Sequence, residues 1–542
     1  MSRTNNAEFN LIHEPWILAA DFLGNTRELN LLDVFKYAHE LRGLSGELPT
    51  QDVATMRLLL SIMYAVYQRE DCDGNSAELN DSEEALERWA SLWQKGVFDT
   101  EQIGRYLGQY KERFFLFHQE RPFYQVNFSN GTEYGSPKLI GELSESSNKP
   151  RLFQMRTGSE KANISYPEAA RWLIYLNSFD DTSAKPSIRG QGLPSAGAGW
   201  LGKLGLIFAF GSNLFETLMM NFVLLDDNDN LFPIGKACWE LDSVENRERL
   251  EISIPKSPLE LLTVQSRRLL LLRKGEEVIG YRLLGGDLFP KENATIEQMT
   301  VWRYDEKSNE LKPRRHDPSR VLWRDYSSLV SSKRAEGNEK EPGIVRWVSL
   351  LEESGKLTPF KNPEKYGGSS SKTVTFRTAS VKYTDKDFTV EDVFEDGLVV
   401  NAQLLTRIGD KWNVRIGEVI GKTDKCIWSL GKFAVEIINS GGNDRNDETK
   451  ARGVSASVRE KAYFILDIPF RQWLQSIKPE SDDLEETVKR WLEQMSSAVI
   501  EVGEKYLIDS GDRALVGRSM GDNALYYFGR FRNTIYKIIR GD

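Results

Sequence analysis

Apolar and polar positions alternate at two different periods along this chain, and the switch between them outlines its architecture. Residues 8–18 (EFNLIHEPWIL) alternate and then meet Pro15 and Trp16, which predicts a strand and a turn. A short helical segment follows at 33–41. A strong helix is predicted over 51–69, where Val53, Met56, Leu59, Leu60, Met63 and Val66 or Tyr67 fall on one face. Another spans 82–95, with Trp89, Leu92 and Trp93 on its apolar side and Gly96 as its stop. Residues 132–161 are polar and punctuated by Gly, Ser and Pro, the composition of a loop. A helix over 167–179 follows, then a glycine-rich stretch, then an apolar run at 214–225 that suits a strand or a helix. The leucine repeat at 259–272 reads as helical, 278–288 and 299–304 as strands, and 345–353 as a helix. Gly367-Gly-Ser-Ser-Ser-Lys372 has the composition of a linker. A strand at 374–383, a turn at 384–387 and a return at 388–390 form a hairpin. From 391 the period becomes helical, with patterns at about 392–439, 455–477, 482–508 and 520–539. The fold class predicted is α+β: a large mixed α/β N-terminal domain, residues 1–390, followed by a C-terminal four-helix bundle, residues 391–542.

Composition narrows the classes available. An apolar fraction of 40% with 11% aromatics allows large buried cores. No window approaches the run of about 18 apolar residues that a membrane span needs. The opening MSRTNNAEFNLI lacks the apolar region of a signal peptide, so a cytoplasmic location is expected. Cys72, Cys238 and Cys426 are scattered, and His13, His39, His118 and His316 form no HExxH-type pair, so neither a metal nor any other cofactor is expected. The net charge of −9 is opposite to that of a nonspecific DNA binder, although local patches decide contacts. Such a patch occurs at Lys312–Arg324, with five Lys or Arg against one Asp, and another at 513–540, where six basic residues alternate with aromatics. Either suits phosphate contact or a solvated outer face.

The densest glycine content lies in Lys185–Gly211, where Gly197-Ala-Gly199-Trp-Leu-Gly202 matches the dinucleotide pattern G-x-G-x-x-G. That match raises a nucleotide-dependent, Rossmann-type enzyme as an alternative. The pattern requires a strand immediately before Gly197. Pro194, which has no N–H to give a central strand, opposes it.

A second set of motifs points elsewhere. Phe9-Asn-Leu-Ile-His-Glu-Pro-Trp-Ile17, Trp93 with Gly96 and Phe98, Arg113-Phe-Phe-Leu-Phe-His-Gln-Glu-Arg-Pro-Phe-Tyr-Gln125, His316-Asp-Pro-Ser-Arg320 and Tyr463…Pro469-Phe-Arg-Gln-Trp473 occur in that order over nearly the whole chain. Together they resemble the CasA family, the large subunit of the type I-E CRISPR Cascade complex. The resemblance implies a non-enzymatic subunit that recognises the protospacer-adjacent motif (PAM) in double-stranded DNA from the minor-groove side. It also implies that the subunit helps open the duplex, guides the displaced strand and recruits a helicase–nuclease. The partners implied are the other Cascade subunits, CRISPR RNA and target DNA, with no membrane. A scaffold without nucleic-acid contacts is the remaining alternative.

The resemblance also carries site residues. Phe153, between Arg151 and Arg156, matches a loop aromatic that contacts the RNA 5′ handle. The PAM loop falls between Asp181 and Gly192, one alignment using Gly190 and Gly192 and another Ser183, Ala184 and Lys185. The finger falls at Lys291 or Gln298, and the hairpin wedge, usually a Gln, at Lys386 or Asp385. Arg320 and Arg324 lie where the family meets the displaced strand.

Overall fold

The structure is a computed structural model that describes residues 7–129, 131–145, 156–182, 197–245, 249, 251–330, 339–358, 373–441, 448–517 and 522–541. The chain divides into two compact units. One comprises 1–320 with 337–397, and the other 321–336 with 398–542.

The first unit mixes helices with small sheets. Its central helix is Pro49–Tyr67, buried around nearly its whole circumference, which explains why its apolar residues spread beyond one stripe. Ser82–Lys95 starts on an Asp81 cap that accepts from the Glu84 amide and ends on Gly96 in the left-handed conformation at φ 68°. The Arg113–Gln125 block is core. Phe114 stacks on Phe123, the Gln125 amide donates to Leu116 O at 2.7 Å, and its oxygen accepts from Leu271 N at 2.8 Å. Ile17–Asp21 lies between Thr26–Leu29 and Leu41–Leu44, and Glu277–Gly285 between Thr132–Gly135 and Arg267–Lys274, all antiparallel. Thr373–Tyr383 lies between Phe208–Phe210 and Val390–Asn401.

Two helical expectations are corrected. Within 259–272 only Pro258–Leu262 is helical, and Arg267–Lys274 is a strand. Its leucines pair with 277–285 across Gly275, where φ is 63°. The pattern expected from 392 begins instead as the strand Val390–Asn401, and the helix starts at Asp410. The 132–161 stretch is not all loop, since Thr132–Gly135 is a strand and Ser136–Leu139 and Ser159–Ala162 are single helical turns.

The second unit is built on four long helices among the described residues: Asp410–Ser440, Glu448–Ser476, Leu484–Ile508 and Ala524–Arg540. The first packs against each of the others. Gly431 faces Ser455 and Arg459 closely, so it permits close packing there without breaking the helix. Phe470 stacks on Trp323 at 4.2 Å between centroids and meets Trp491 edge-on, giving this unit its own aromatic core. No described helix is long and apolar enough to cross a membrane.

Candidate nucleic-acid interface

The predicted hairpin projects a rigid tip. Thr384 N donates to Thr389 O at 2.9 Å, and Thr389 N returns a bond to Thr384 Oγ1 at 3.0 Å. Between them Lys386 and Asp387 adopt left-handed φ values of 57° and 56°, a conformation that surrounding bonds must hold in non-glycine residues. Asp387 supplies them. Its carboxylate accepts two bonds from Arg315, at 2.6 and 2.8 Å, and its carbonyl accepts from Thr182 N at 2.9 Å. Asp385 and Lys386 face solvent, and Phe388 is 52% exposed beside them.

Tyr383 anchors the base of this tip. Its hydroxyl donates to Phe179 O at 2.6 Å, and the Arg315 guanidinium lies 5.6 Å from its ring centroid. Gly202 makes this approach possible, because a Cβ there would stand 2.3 Å from the Tyr383 hydroxyl oxygen. Gly205 likewise lets the chain run against the basic loop, where a Cβ would meet Arg314 O at 2.3 Å. The G-x-G-x-x-G match is thereby corrected. Gly202 sits in a three-residue 3-10 turn, Leu201–Lys203, not at the start of a helix opening onto a pyrophosphate, and the glycines serve packing. The nucleotide-enzyme alternative loses its motif.

Beneath the glycine turn lies a buried ion pair that sequence reasoning missed. Arg267, fully buried, donates through Nε to Asp180 at 2.5 Å and through Nη2 to Gly197 O at 2.7 Å. Asp181 pairs with buried Lys138. The adjacent acids in Phe179-Asp-Asp-Thr182, closing an apolar helix, were the available signal. Lys203 lies against the same Gly197 turn. Burial, followed by the charges of Arg267, Lys291 and Arg315, pushes its ammonium down to about 8.

The remaining expected residues separate. Lys291 is exposed, whereas Gln298 is buried and its amide donates to Thr295 O at 3.0 Å and Ile296 O at 3.2 Å. The neighbouring Glu297 holds Arg57 through two 2.9 Å bonds and accepts from Trp200 Nε1 at 2.8 Å, fixing that turn to the central helix. Arg320 is half-buried in the first unit, its amide on Asp317 O at 2.9 Å. Arg324 belongs to the second unit, where it bonds Asp424 at 3.1 and 3.4 Å and covers Tyr463 at 3.9 Å. The hairpin thus brings Asp385 and Lys386 together, while Arg324 belongs to the bundle unit. Phe153, Ser183, Ala184, Lys185, Gly190 and Gly192 lie outside the described residues. Among the described residues no cluster of His, Cys, Asp or Glu is arranged to hold a metal ion.

Residues 10–502 match the family model described as CRISPR-associated protein Cse1 (CRISPR_cse1). The chain belongs to the Cse1 family. A curated relative, the CRISPR-associated protein CasA/Cse1 of Thermus thermophilus, is 31% identical over 330 residues, a match that spans 60% of this chain and 60% of that protein's length. Its double name joins Cse1 to the CasA resemblance read from the sequence. The crystal structure of Thermobifida fusca Cse1 superposes with a TM-score of 0.82 at 27% identity, covering 99% of both chains. A chain of a solved "CRISPR RNA-guided surveillance complex" matches with a TM-score of 0.70 at 16% identity, over 97% of this chain and 99% of that one. The α+β class with its C-terminal helices agrees with the Cse1 structures.

Proposed function

We propose that this Cse1-family chain is the large subunit of an RNA-guided CRISPR DNA-surveillance complex. In this reading it recognises the PAM in double-stranded DNA and helps open the duplex. It also guides the displaced strand and recruits the helicase–nuclease, itself contributing binding and no catalysis. The observation that carries the reading is the braced hairpin tip, which presents Asp385, Lys386 and an exposed Phe388 on a backbone held from two sides by Arg315 and Thr182. A cation and an aromatic ring on a rigid projection suit entry into a groove and separation of a base step, a deformation that costs roughly a few kcal/mol per step. The degenerate hydrogen-bond pattern of the minor groove fits a reader of short, relaxed motifs. Lys291, exposed, serves as the finger, and Gln298 braces the turn that carries it. Arg320 and Arg324 are the two candidates for the displaced strand, and Arg324 reaches it only by giving up its Asp424 pair. The assignments of Phe153 to the RNA 5′ handle and of residues 183–192 to the PAM loop rest on the family resemblance.

The test uses the complex assembled with guide RNA and partner subunits. Lys386→Ala is expected to weaken binding to a PAM-bearing duplex about tenfold, equivalent to about 1.4 kcal/mol, and to leave binding to a pre-opened target nearly unchanged. Equal losses on both substrates remove the wedge. Assembly without any PAM dependence would favour the scaffold alternative.

A further inference from the structure

Lys203 is a cation with no directly bonded carboxylate among the described residues. Its side chain lies against the Gly197 turn, where a Cβ on that glycine would stand 3.6 Å from Lys203 Cε and 3.9 Å from Nζ. The residue is half-buried, and its ammonium makes no hydrogen bond or ion pair among the described residues. After burial, the largest charge effects on it come from Arg267, Lys291 and Arg315, all positive, with Glu292 opposing them more weakly. Arg267 is neutralised by Asp180 and Arg315 by Asp387, which leaves Lys203 and exposed Lys291 as the uncancelled charges. The intervening sequence cannot supply the missing acid, since residues 183–196 contain Lys185 and Arg189 and no Asp or Glu.

A half-buried lysine ammonium without a partner is costly to the fold. A lysine there points to a negative ligand that completes it. The location selects the ligand. Lys203 shares its 3-10 turn with Gly202, which touches Tyr383, so this turn abuts the base of the hairpin that carries the proposed wedge.

We propose that Lys203 forms a seat for one backbone phosphate of the target duplex, gripping the strand near the step that the hairpin tip enters. This rests on the duplex-binding reading above and extends it to a residue that none of the sequence motifs singled out. A point-charge donor on a flexible stem suits a phosphate whose exact position shifts as the duplex opens. Because the ammonium of the free protein titrates at about 8, phosphate binding above that pH must draw a proton with it.

The experiment compares wild-type, Lys203→Gln and Lys203→Arg chains in the assembled complex, with a PAM-bearing DNA duplex as probe. The Gln variant is expected to bind about 5- to 30-fold more weakly and to lose about 0.9 from the salt slope, as removal of one phosphate contact requires. The Arg variant should keep both. Between pH 8 and 9.5 wild-type affinity should fall by up to about tenfold per pH unit, while the Arg variant stays level. The isolated Gln variant should melt at or above the wild-type temperature at pH 7, separating a ligand role from a structural one. Wild-type affinity and salt slope in the Gln variant overturn the seat while leaving the duplex reading intact. So does a defect confined to capture of guide RNA, which would make the anion RNA. A wild-type complex that ignores duplex DNA overturns the reading beneath and this inference with it.

Discussion

Replacing Gly202 with alanine tests the contact on which the hairpin's position depends. The backbone there is not in the left-handed region, so alanine is conformationally acceptable and the effect is steric. The new Cβ would stand 2.3 Å from the Tyr383 hydroxyl oxygen, 3.0 Å from Cζ and 3.1 Å from Cε2. Relief requires the ring to retreat by about 1 Å, since van der Waals contact between such atoms begins near about 3.5 Å. That movement breaks the 2.6 Å bond from Tyr383 to Phe179 O. Overpacking costs about 1–3 kcal/mol, and the orphaned polar groups add about 1–3 kcal/mol. Tyr383→Phe alone removes the donor and leaves Phe179 O without this bond, at about 1–3 kcal/mol with no overpacking. The double variant has no hydroxyl to meet the Cβ, so its cost should fall below the sum of the singles by about 1–2 kcal/mol. Native-state hydrogen exchange of peptides covering 373–401 is the suitable assay, because it reads the hairpin locally in a chain with two units, where one global unfolding energy is ill-defined. Strictly additive losses, or unchanged hairpin protection in Gly202→Ala, would refute the reasoning.

Two further outcomes follow from charge placement. Burial, with the nearby charges of Glu47 and Glu395 adding to it, pushes the Asp52 carboxyl up to about 7 against the 2.7 Å bond it accepts from Gly46 N. The unfolded carboxyl titrates near about 3.9, so folding takes up a proton between these values and stability falls as pH rises from about 4 to about 7. Allowing for partial solvation, the fall should be about 1–3 kcal/mol. Asp52→Asn should abolish it and melt above wild type at pH 8 but not at pH 4, and an equal difference at both pH values would contradict the assignment. Arg324→Ala should lower the melting transition of the bundle unit by removing the Asp424 pair and the Tyr463 stack, at about 1–2 kcal/mol. Lys at this position should rescue it poorly. A variant with normal melting and a reduced salt slope for duplex binding would return Arg324 to the DNA.

What the sequence discloses here depends on how local the deciding physics is. The Ser82–Lys95 helix is readable because its cap, apolar face and glycine stop lie within sixteen consecutive residues, Asp81 to Gly96. The Leu269–Leu272 run satisfies helical and strand periods equally. Only its pairing with 277–285 decides, and the Lys274-Gly-Glu-Glu277 turn was the cue that favoured a hairpin. Val390–Asn401 was misread for a similar reason, since its partner strand lies upstream of the tip. At the candidate site, periodicity located the hairpin and family motifs named its tip. Nothing local paired Arg315 with Asp387 or Arg267 with Asp180, because each pair closes a long loop whose ends meet only in the fold.

The glycine stretch shows why a motif must be judged by what its backbone approaches. In a dinucleotide-binding turn, glycines admit a pyrophosphate to a helix N-terminus, and the dipole supplies the attraction. Here the same spacing admits protein: Gly199 N donates to Asp180 O at 2.8 Å, Gly202 receives Tyr383, and Gly205 runs against Arg314. With no helix opening, attraction for an anion has to come from side chains. The turn that these glycines create is the one that brings Lys203 among Arg267, Lys291 and Arg315. The two solutions share close backbone packing and differ in where the positive charge resides. A lysine charge, unlike a helix dipole, titrates and can be deleted singly, so the difference between them is open to measurement at one residue.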